Sequence, residues 1–284
     1  MKLLYPLAKR FIAGHDFDSA KPKIAELMNK GYEISIDYVG ELSKNTEDAG
    51  QAAKQYIEIS NFYKDEKIDL SIKLTQLGLL FDKEFCEQLL RSIVEVAYLN
   101  GHTIRLDMED SRVTDDTINL CLKLRRRFPN IGVALQSNLY RTKEDIFKIA
   151  DAKASIRLVK GAYKEDKSIC IHPEDDVRGC FLMYMGVLLT QSSVRCAIAT
   201  HDERILKEIM KIKSAKLFDY EFLYGVRRDL QKSLLKDGYS VRIYLPFGKD
   251  WLPYTLRRLR EWKNLKFVAK NMVKEWIKCL TGTK

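Results

Sequence analysis

Short apolar runs recur along this chain, each with a polar residue at or near its end and each followed by a stretch of helical period. The runs are EISIDYV (33–39), DLSIKLT (69–75), TIRLDM (103–108), IGVALQ (131–136), SIRLVKG (155–161), VRCAIAT (194–200), KLFDYEF (216–222) and VRIYL (241–245). Their β-branched and aliphatic content predicts strands, and starts spaced about 20–40 residues apart leave room for one crossover helix each. Between them, DKEFCEQLLRSIVEVAYLNG and TDDTINLCLKLRRRFPN place apolar residues at i, i+3, i+4 and i+7, which predicts amphipathic helices. Eight such units predict a parallel (β/α)8 barrel, with a doubly wound sheet as the alternative. The opening segment, 1–32, predicts extra N-terminal helices. No linker or shift in composition divides the rest, so 1–284 is expected to be a single barrel domain.

The strand ends carry the candidate chemistry: Asp37 with Glu41 just beyond, Lys73, Asp107, Gln136, Lys160, Thr200 and His201, Glu221, and Tyr244. Barrel enzymes assemble their sites at the C-terminal ends of the strands, so these positions predict one ligand-lined mouth. An ammonium such as Lys73, at the end of an apolar strand, needs an anionic partner. The last unit, RIYLPFGKDWLPYTLRRLRE, predicts a strand ending at Tyr244, a Pro-Phe-Gly turn and a helix. On that helix Arg257 and Arg258 lie about one turn before Glu261. Adjacent guanidiniums suit a planar anion, and a substrate carboxylate is the natural one. No glycine pair has GxG spacing and there is no Walker loop, so any dinucleotide must be held on barrel loops. Lys160 and Gly161, in RLVKGAY, offer a charge and a closely approachable backbone to a phosphate.

Composition narrows the partners. The chain has 284 residues, 46% hydrophobic and 31% charged, and a net charge of +10. Its 49 basic residues are interleaved with 39 acidic ones, which argues against nucleic acid and for acidic small molecules or an anionic membrane surface. Six cysteines without a CxxC pair, and four histidines, argue against a metal site and for a reducing compartment. No apolar run approaches the roughly 18 residues of a membrane span. The N-terminus, interrupted by Pro6, Lys9 and Arg10, does not read as a secretory signal, so a cytoplasmic location is expected.

Taken in order, the motifs DYVGE (37–41), SIKLTQLGLLFD (71–82), IRLDMEDS (104–111), ALQSNLYRT (134–142), IRLVKGAYKE (156–165), ATHDE (199–203), FDYEFLYG (218–225) and YTLRRLRE resemble proline dehydrogenase in its short, monofunctional bacterial form. The resemblance implies a (β/α)8 barrel holding FAD, oxidation of L-proline to 1-pyrroline-5-carboxylate, and a quinone as electron acceptor. It also assigns residues. Lys73, Arg257 and Arg258 would bind the substrate carboxylate, with Glu261 and Tyr244 beside the ring and Glu41 gating the site through the second arginine. Asp107 would be the active-site aspartate and Arg157 the cation near the flavin N5. Met108, Gln136, Val159, Lys160, Gly161, Ala162, Thr200, His201 and Leu223 would hold the cofactor. The family carries a glutamine at the position of Glu221, so a carboxylate here is expected to alter a flavin contact or its potential.

Other readings stay open at this point. His201 could simply cap a helix, Tyr244 could belong to the core, and Glu109 and Asp110 could be charges satisfying a helix N-terminus. Another flavin barrel of the methylenetetrahydrofolate reductase type, or a non-enzymatic anion-binding barrel, would share the architecture. In the segment 265–284, Leu265, Val268, Met272 and Trp276 form an apolar stripe beside Lys266, Lys270, Lys274 and Lys278. That pattern predicts either a barrel-capping helix or a basic amphipathic helix docking peripherally on the membrane that holds the quinone.

Overall fold

The computed structural model of the chain describes residues 10–191, 193–252 and 254–256. Eight parallel strands close into a barrel in chain order: β1 (Glu33–Tyr38), β2 (Asp69–Ile72), β3 (Thr103–Leu106), β4 (Ile131–Gln136), β5 (Ser155–Val159), β6 (Ala197–Ala199), β7 (Asp219–Leu223) and β8 (Ser240–Phe247). Helix α1 (Phe17–Asn29) precedes β1. Helices α2 (Thr46–Phe62), α3 (Lys83–Leu99), α4 (Thr114–Arg125), α5 (Thr142–Asp151), α6 (Glu174–Gln191), α7 (Glu203–Ile209) and α8 (Arg228–Lys236) follow the first seven strands in turn. Their starts are chemically marked. The side chains of Asp16, Asn45, Asp82 and Asp202 each accept a hydrogen bond from a backbone N–H of the first turn of α1, α2, α3 and α7, satisfying donors that the helix itself leaves unpaired. Among the described residues, no helix is long and apolar enough to cross a membrane.

Alternation within each strand decides where the core lies. Ile34 and Ile36, Leu70 and Ile72, Ile104 and Leu106, Val133 and Leu135, Ile156 and Leu158, and Tyr220 and Phe222 are all buried, in one cluster with helix residues such as Ile59, Ile93, Ile118, Ile149 and Phe181. The main apolar core is therefore the shell between strands and helices. The intervening positions face the barrel axis, because successive side chains of a strand point to opposite faces. There the chain places Ser35 and Asp37, Asp69 and Ser71, Arg105 and Asp107, Arg157, Glu221, Arg242 and Tyr244. Arg157 of β5 bonds to groups on β1, β2, β7 and the end of β3, contacts that only an inward side chain can make. Burying charge is tolerated only with partners. Lys73, Arg105, Arg157 and Arg242 find theirs in Asp37, Asp69, Asp107, Asp219, Glu221 and Glu33.

Boundaries differ from expectation at three strands. β2 stops at Ile72, because Lys73 opens a 3-10 turn, Leu74–Leu77, that ends on Gly78 in the left-handed region. β6 shrinks to three residues. β8 does not end at Tyr244 but runs on through Pro246 and Phe247, paired with Asp37 and Tyr38. Pairing with β7 stops at Tyr244, so the missing N–H of Pro246 interrupts no ladder on that side.

Candidate active site

At the C-terminal mouth, Lys73 is the hub. Its Nζ lies 2.8 Å from Asp37 Oδ1, 3.1 Å from Asp107 Oδ2 and 3.2 Å from the Tyr244 hydroxyl. The Tyr244 hydroxyl donates to Asp107 Oδ2 at 2.6 Å. From below, Arg157 Nη1 donates to Asp107 Oδ1 at 2.6 Å, so Asp107 is held by two cations and a hydroxyl. Arg157 itself is gripped by Glu221, with Nε to Oε2 at 2.9 Å and Nη2 to Oε1 at 2.8 Å, and by the Ser35 and Ser71 hydroxyls. Its Cα sits between Ala134 of β4 and Ala197 of β6 in register. Two such small neighbours leave the guanidinium room to cross the barrel.

The electrostatics of the two mouth aspartates diverge. Burial raises the Asp37 carboxyl above its ordinary value against the pull of Lys73, and the nearby Asp107 charge adds to the rise. Burial works the same way on Asp107, but Lys73, Arg157 and the Tyr244 hydroxyl outweigh it and hold that carboxyl below its ordinary value. Burial also opposes the charge on Lys73, yet Asp37, Tyr244 and Asp107 leave its ammonium more basic than a free lysine. Asp107 is thus a fixed anion and Lys73 a fixed cation.

The residues expected to hold a cofactor come together on the other half of the mouth. Gln136, Val159 and Ala199 are in register across the ends of β4, β5 and β6. Buried Met108 follows β3, and Gln136 Nε2 donates to the Glu109 carbonyl next to it. Thr200 is buried, its Oγ1 accepting from Asp202 N–H. His201 does not cap α7; Asp202 does, and His201 Nε2 instead accepts from Leu223 N–H at 3.0 Å, which joins two expected cofactor residues directly. Lys160 is not a bare cation. Its Nζ meets Asp202 at 2.9 Å and Glu174 at 3.2 Å, and Arg178 shares Asp202. Gly161 has φ +111, and a Cβ there would come within 2.0 Å of Asn138 Oδ1. Ala162 beyond it is exposed.

Several expectations need revision or fall elsewhere. Glu109 is no helix-terminal charge. It is buried, and accepts from Thr75 N–H at 3.1 Å and from the Thr75 hydroxyl at 2.5 Å, tying the loop after β3 to the turn after β2; α4 starts five residues later, at Thr114. Asp110 pairs with Arg112. Tyr244 is a mouth residue, since its hydroxyl joins the ion cluster. Glu41, half-buried on the loop after β1, acts electrostatically on Glu109. Arg257, Arg258, Glu261 and the 265–284 segment lie outside the described residues. Asp37 was read from the sequence only as one of the mouth residues, without its partner Lys73, and Ser35 and Ser71 were given no role, although the alternation S-I-D (35–37) and D-L-S-I-K (69–73) is the signal that could have found them.

An FAD, implied by the resemblance, fits this half of the mouth on three observations. The Gly161 backbone approaches too closely for any side chain. Asn138 Oδ1, beside it, is buried and accepts no hydrogen bond among the described residues. Lys160 stands at the same loop. Among the described residues, no group of three or more His, Cys, Asp or Glu side chains could hold a metal ion.

Comparison with known proteins agrees with the geometry. The proline dehydrogenase family model matches residues 20–270. A proline dehydrogenase 1 of Bacillus subtilis subsp. natto is 35% identical over 278 residues, 94% of this chain and 91% of the relative. The proline dehydrogenase of Deinococcus radiodurans is 34% identical over 284 residues, 95% and 91% of the two chains. Among solved structures, proline utilization A from Bdellovibrio bacteriovorus inactivated by N-propargylglycine superposes with a TM-score of 0.83 at 21% identity, over 93% of this chain and 33% of that longer one; at that identity the likeness concerns the barrel alone. With the family match spanning residues 20–270 and the relatives alike over nine-tenths of both chains, this barrel belongs to the proline dehydrogenase family, and neither to the methylenetetrahydrofolate reductase type nor to non-enzymatic barrels.

Proposed function

We propose that the protein oxidises L-proline to 1-pyrroline-5-carboxylate with FAD, and passes the electrons to a quinone. The observation that carries this reading is the division of one mouth into two halves. A charged half, at the ends of β1, β2, β3 and β8, faces a half at the ends of β4 to β7 with Gly161, the small Ala199 and Asn138 Oδ1, unpaired among the described residues. Lys73 supplies a fixed cation for the substrate carboxylate, aided by Arg257 and Arg258. Asp107 supplies a fixed anion for the ring nitrogen, and Tyr244 an aromatic wall. Met108, Gln136, Val159 to Ala162, Thr200, His201 and Leu223 would hold the cofactor, and Arg157 would supply a cation for the charge that develops on it.

When bound, the flavin supplies a two-electron acceptor. The chain's contribution is to orient proline and to exclude water from C5. Proline must first lose its ammonium proton, because only a free lone pair can form the C5=N bond as C5–H departs with its electron pair as hydride. Asp107 is held too acidic to take that proton near neutral pH, so the proton leaves to solvent; departure of hydride then leaves a protonated iminium, whose N–H proton is lost to give the imine. Activity is therefore expected to rise with pH through deprotonation of bound substrate. A basic amphipathic tail would bring the mouth to a membrane-held quinone, and the protein would be cytoplasmic and peripheral.

The decisive test is an absorption spectrum. Purified protein should be yellow, and L-proline but not NADH should bleach it, with EDTA having no effect. A colourless protein, or one reduced by NADH alone, overturns the assignment.

A further inference from the structure

Arg157 is held from below more tightly than from above. Three of its five partners within hydrogen-bond reach lie beneath the mouth on Nη2, namely Ser35 and Ser71 Oγ and Glu221 Oε1, while Nε meets Glu221 Oε2. Only Nη1 faces the mouth, where it meets Asp107. Glu221 is buried on β7 with both carboxylate oxygens turned to one guanidinium, so it cannot reach a ligand in the mouth itself. Burial raises the Glu221 carboxyl above its ordinary value, and Asp69 adds to the rise, against the pull of Arg157, Arg242 and Arg105; all four of these groups lie in the barrel interior. Only Oε2 of Glu221 completes a hydrogen bond, from Nε, while Oε1 lies 2.8 Å from Nη2 as a charge contact alone. A carboxylate set against a guanidinium in this way helps fix the plane of the fork, and its charge cancels much of the positive potential the fork projects. A glutamine could do the first in part. It could not do the second.

We infer that Glu221 is a positioning residue that acts through Arg157, aiming Nη1 at the mouth and damping the positive potential beneath the electron-accepting group. The inference rests on the flavin reading above. As hydride arrives, negative charge develops on the acceptor, and a cation below it favours that charge. The carboxylate on the far side of the cation opposes it. Glu221 therefore tunes the protein toward a less readily reduced cofactor than Arg157 alone would give.

The test compares Glu221→Gln with Ser71→Ala in the flavin-loaded protein, each equilibrated with a redox dye to read the midpoint potential. Glu221→Gln removes one charge with little change of shape. It should raise the reduced-to-oxidised ratio at fixed dye potential about tenfold, roughly 30 mV for a two-electron couple. Ser71→Ala removes a neutral acceptor from the same Nη2 and should change the ratio by less than about twofold. An unchanged or lowered potential in Glu221→Gln overturns the inference, and so does an equal shift in Ser71→Ala, which would assign the effect to loosening of Arg157. A second measurement needs neither variant to fold. In flavin-stripped wild-type protein labelled with 15N-arginine, the Arg157 Nε–H, assigned by its loss in Arg157→Lys, should be protected from solvent exchange; an unprotected signal removes the ion pair and the inference with it. If wild-type protein binds no flavin, the proposed function fails first, and that outcome is distinct from a flavin-loaded protein whose potential ignores Glu221.

Discussion

Replacing Lys73 by Met tests the ion cluster independently of any activity. The change keeps the length and most of the volume of the side chain and removes only the ammonium. Lys73 is 7% exposed and Asp37 0%, so the loss leaves Asp37 with a full charge in the barrel and, among the described residues, no cation within hydrogen-bond reach. Asp107 keeps Arg157 at 2.6 Å, so the penalty falls mainly on Asp37. Breaking a buried pair by removing one partner costs about 3–5 kcal/mol. With an m-value of about 3 kcal/mol/M, the urea midpoint should fall by roughly 1–1.7 M.

The pH dependence of that penalty has a defined sign. Asp37 is already raised in the folded protein, and losing Lys73 raises it further, so the folded variant binds a proton more readily than its unfolded chain. Stability of such a group is lost as pH rises and recovered as pH falls through the raised value toward the ordinary 3.8. The deficit of Lys73→Met relative to wild type should be greatest above neutrality and narrow on acidification. Adding Asp37→Asn removes the stranded charge and should recover about 2 kcal/mol or more. Urea unfolding followed by far-UV circular dichroism at several pH values measures all three. A deficit below about 1 kcal/mol, one that does not change with pH, or a double variant no better than the single would refute the reasoning.

Two further outcomes follow from the cofactor half. Gly161→Ala forces a side chain into φ +111 against Asn138; FAD retention should weaken at least tenfold, about 1.4 kcal/mol, read by flavin release on dilution, while the far-UV spectrum stays unchanged, and full retention would contradict the close approach. Asp202 is held below its ordinary 3.8 because hydrogen bonds from Lys160 and Arg178 overcome its burial, so its contribution is present above 3.8 and lost as pH falls through the lower folded value. Asp202→Asn keeps the cap of α7 but not the charge, so its thermal midpoint should lie below wild type at pH 7 and the gap should close on acidification toward pH 3; a gap that persists would place the stabilisation in the cap.

What the sequence determined by itself was the sequence of local periods. Aliphatic residues at every second position mark strands and at every third or fourth mark helices, because those periods are properties of the backbone alone. The ordered motifs carried the family and the identity of Lys73, Asp107, Arg157 and Tyr244. Partnership was not legible. Lys73 could be seen to need an anion, but that Asp37 and Asp107 both supply one depends on the closure that brings β1, β2 and β3 side by side. Glu109 read as a helix charge because its neighbours are acidic; only folding brings Thr75, 34 residues away, against it. The same holds for Glu221 and Arg157, 64 residues apart: each strand announces an inward polar residue, but which inward residues meet is decided by register and by the small neighbours, Ala134 and Ala197, that leave an arginine space to cross the barrel.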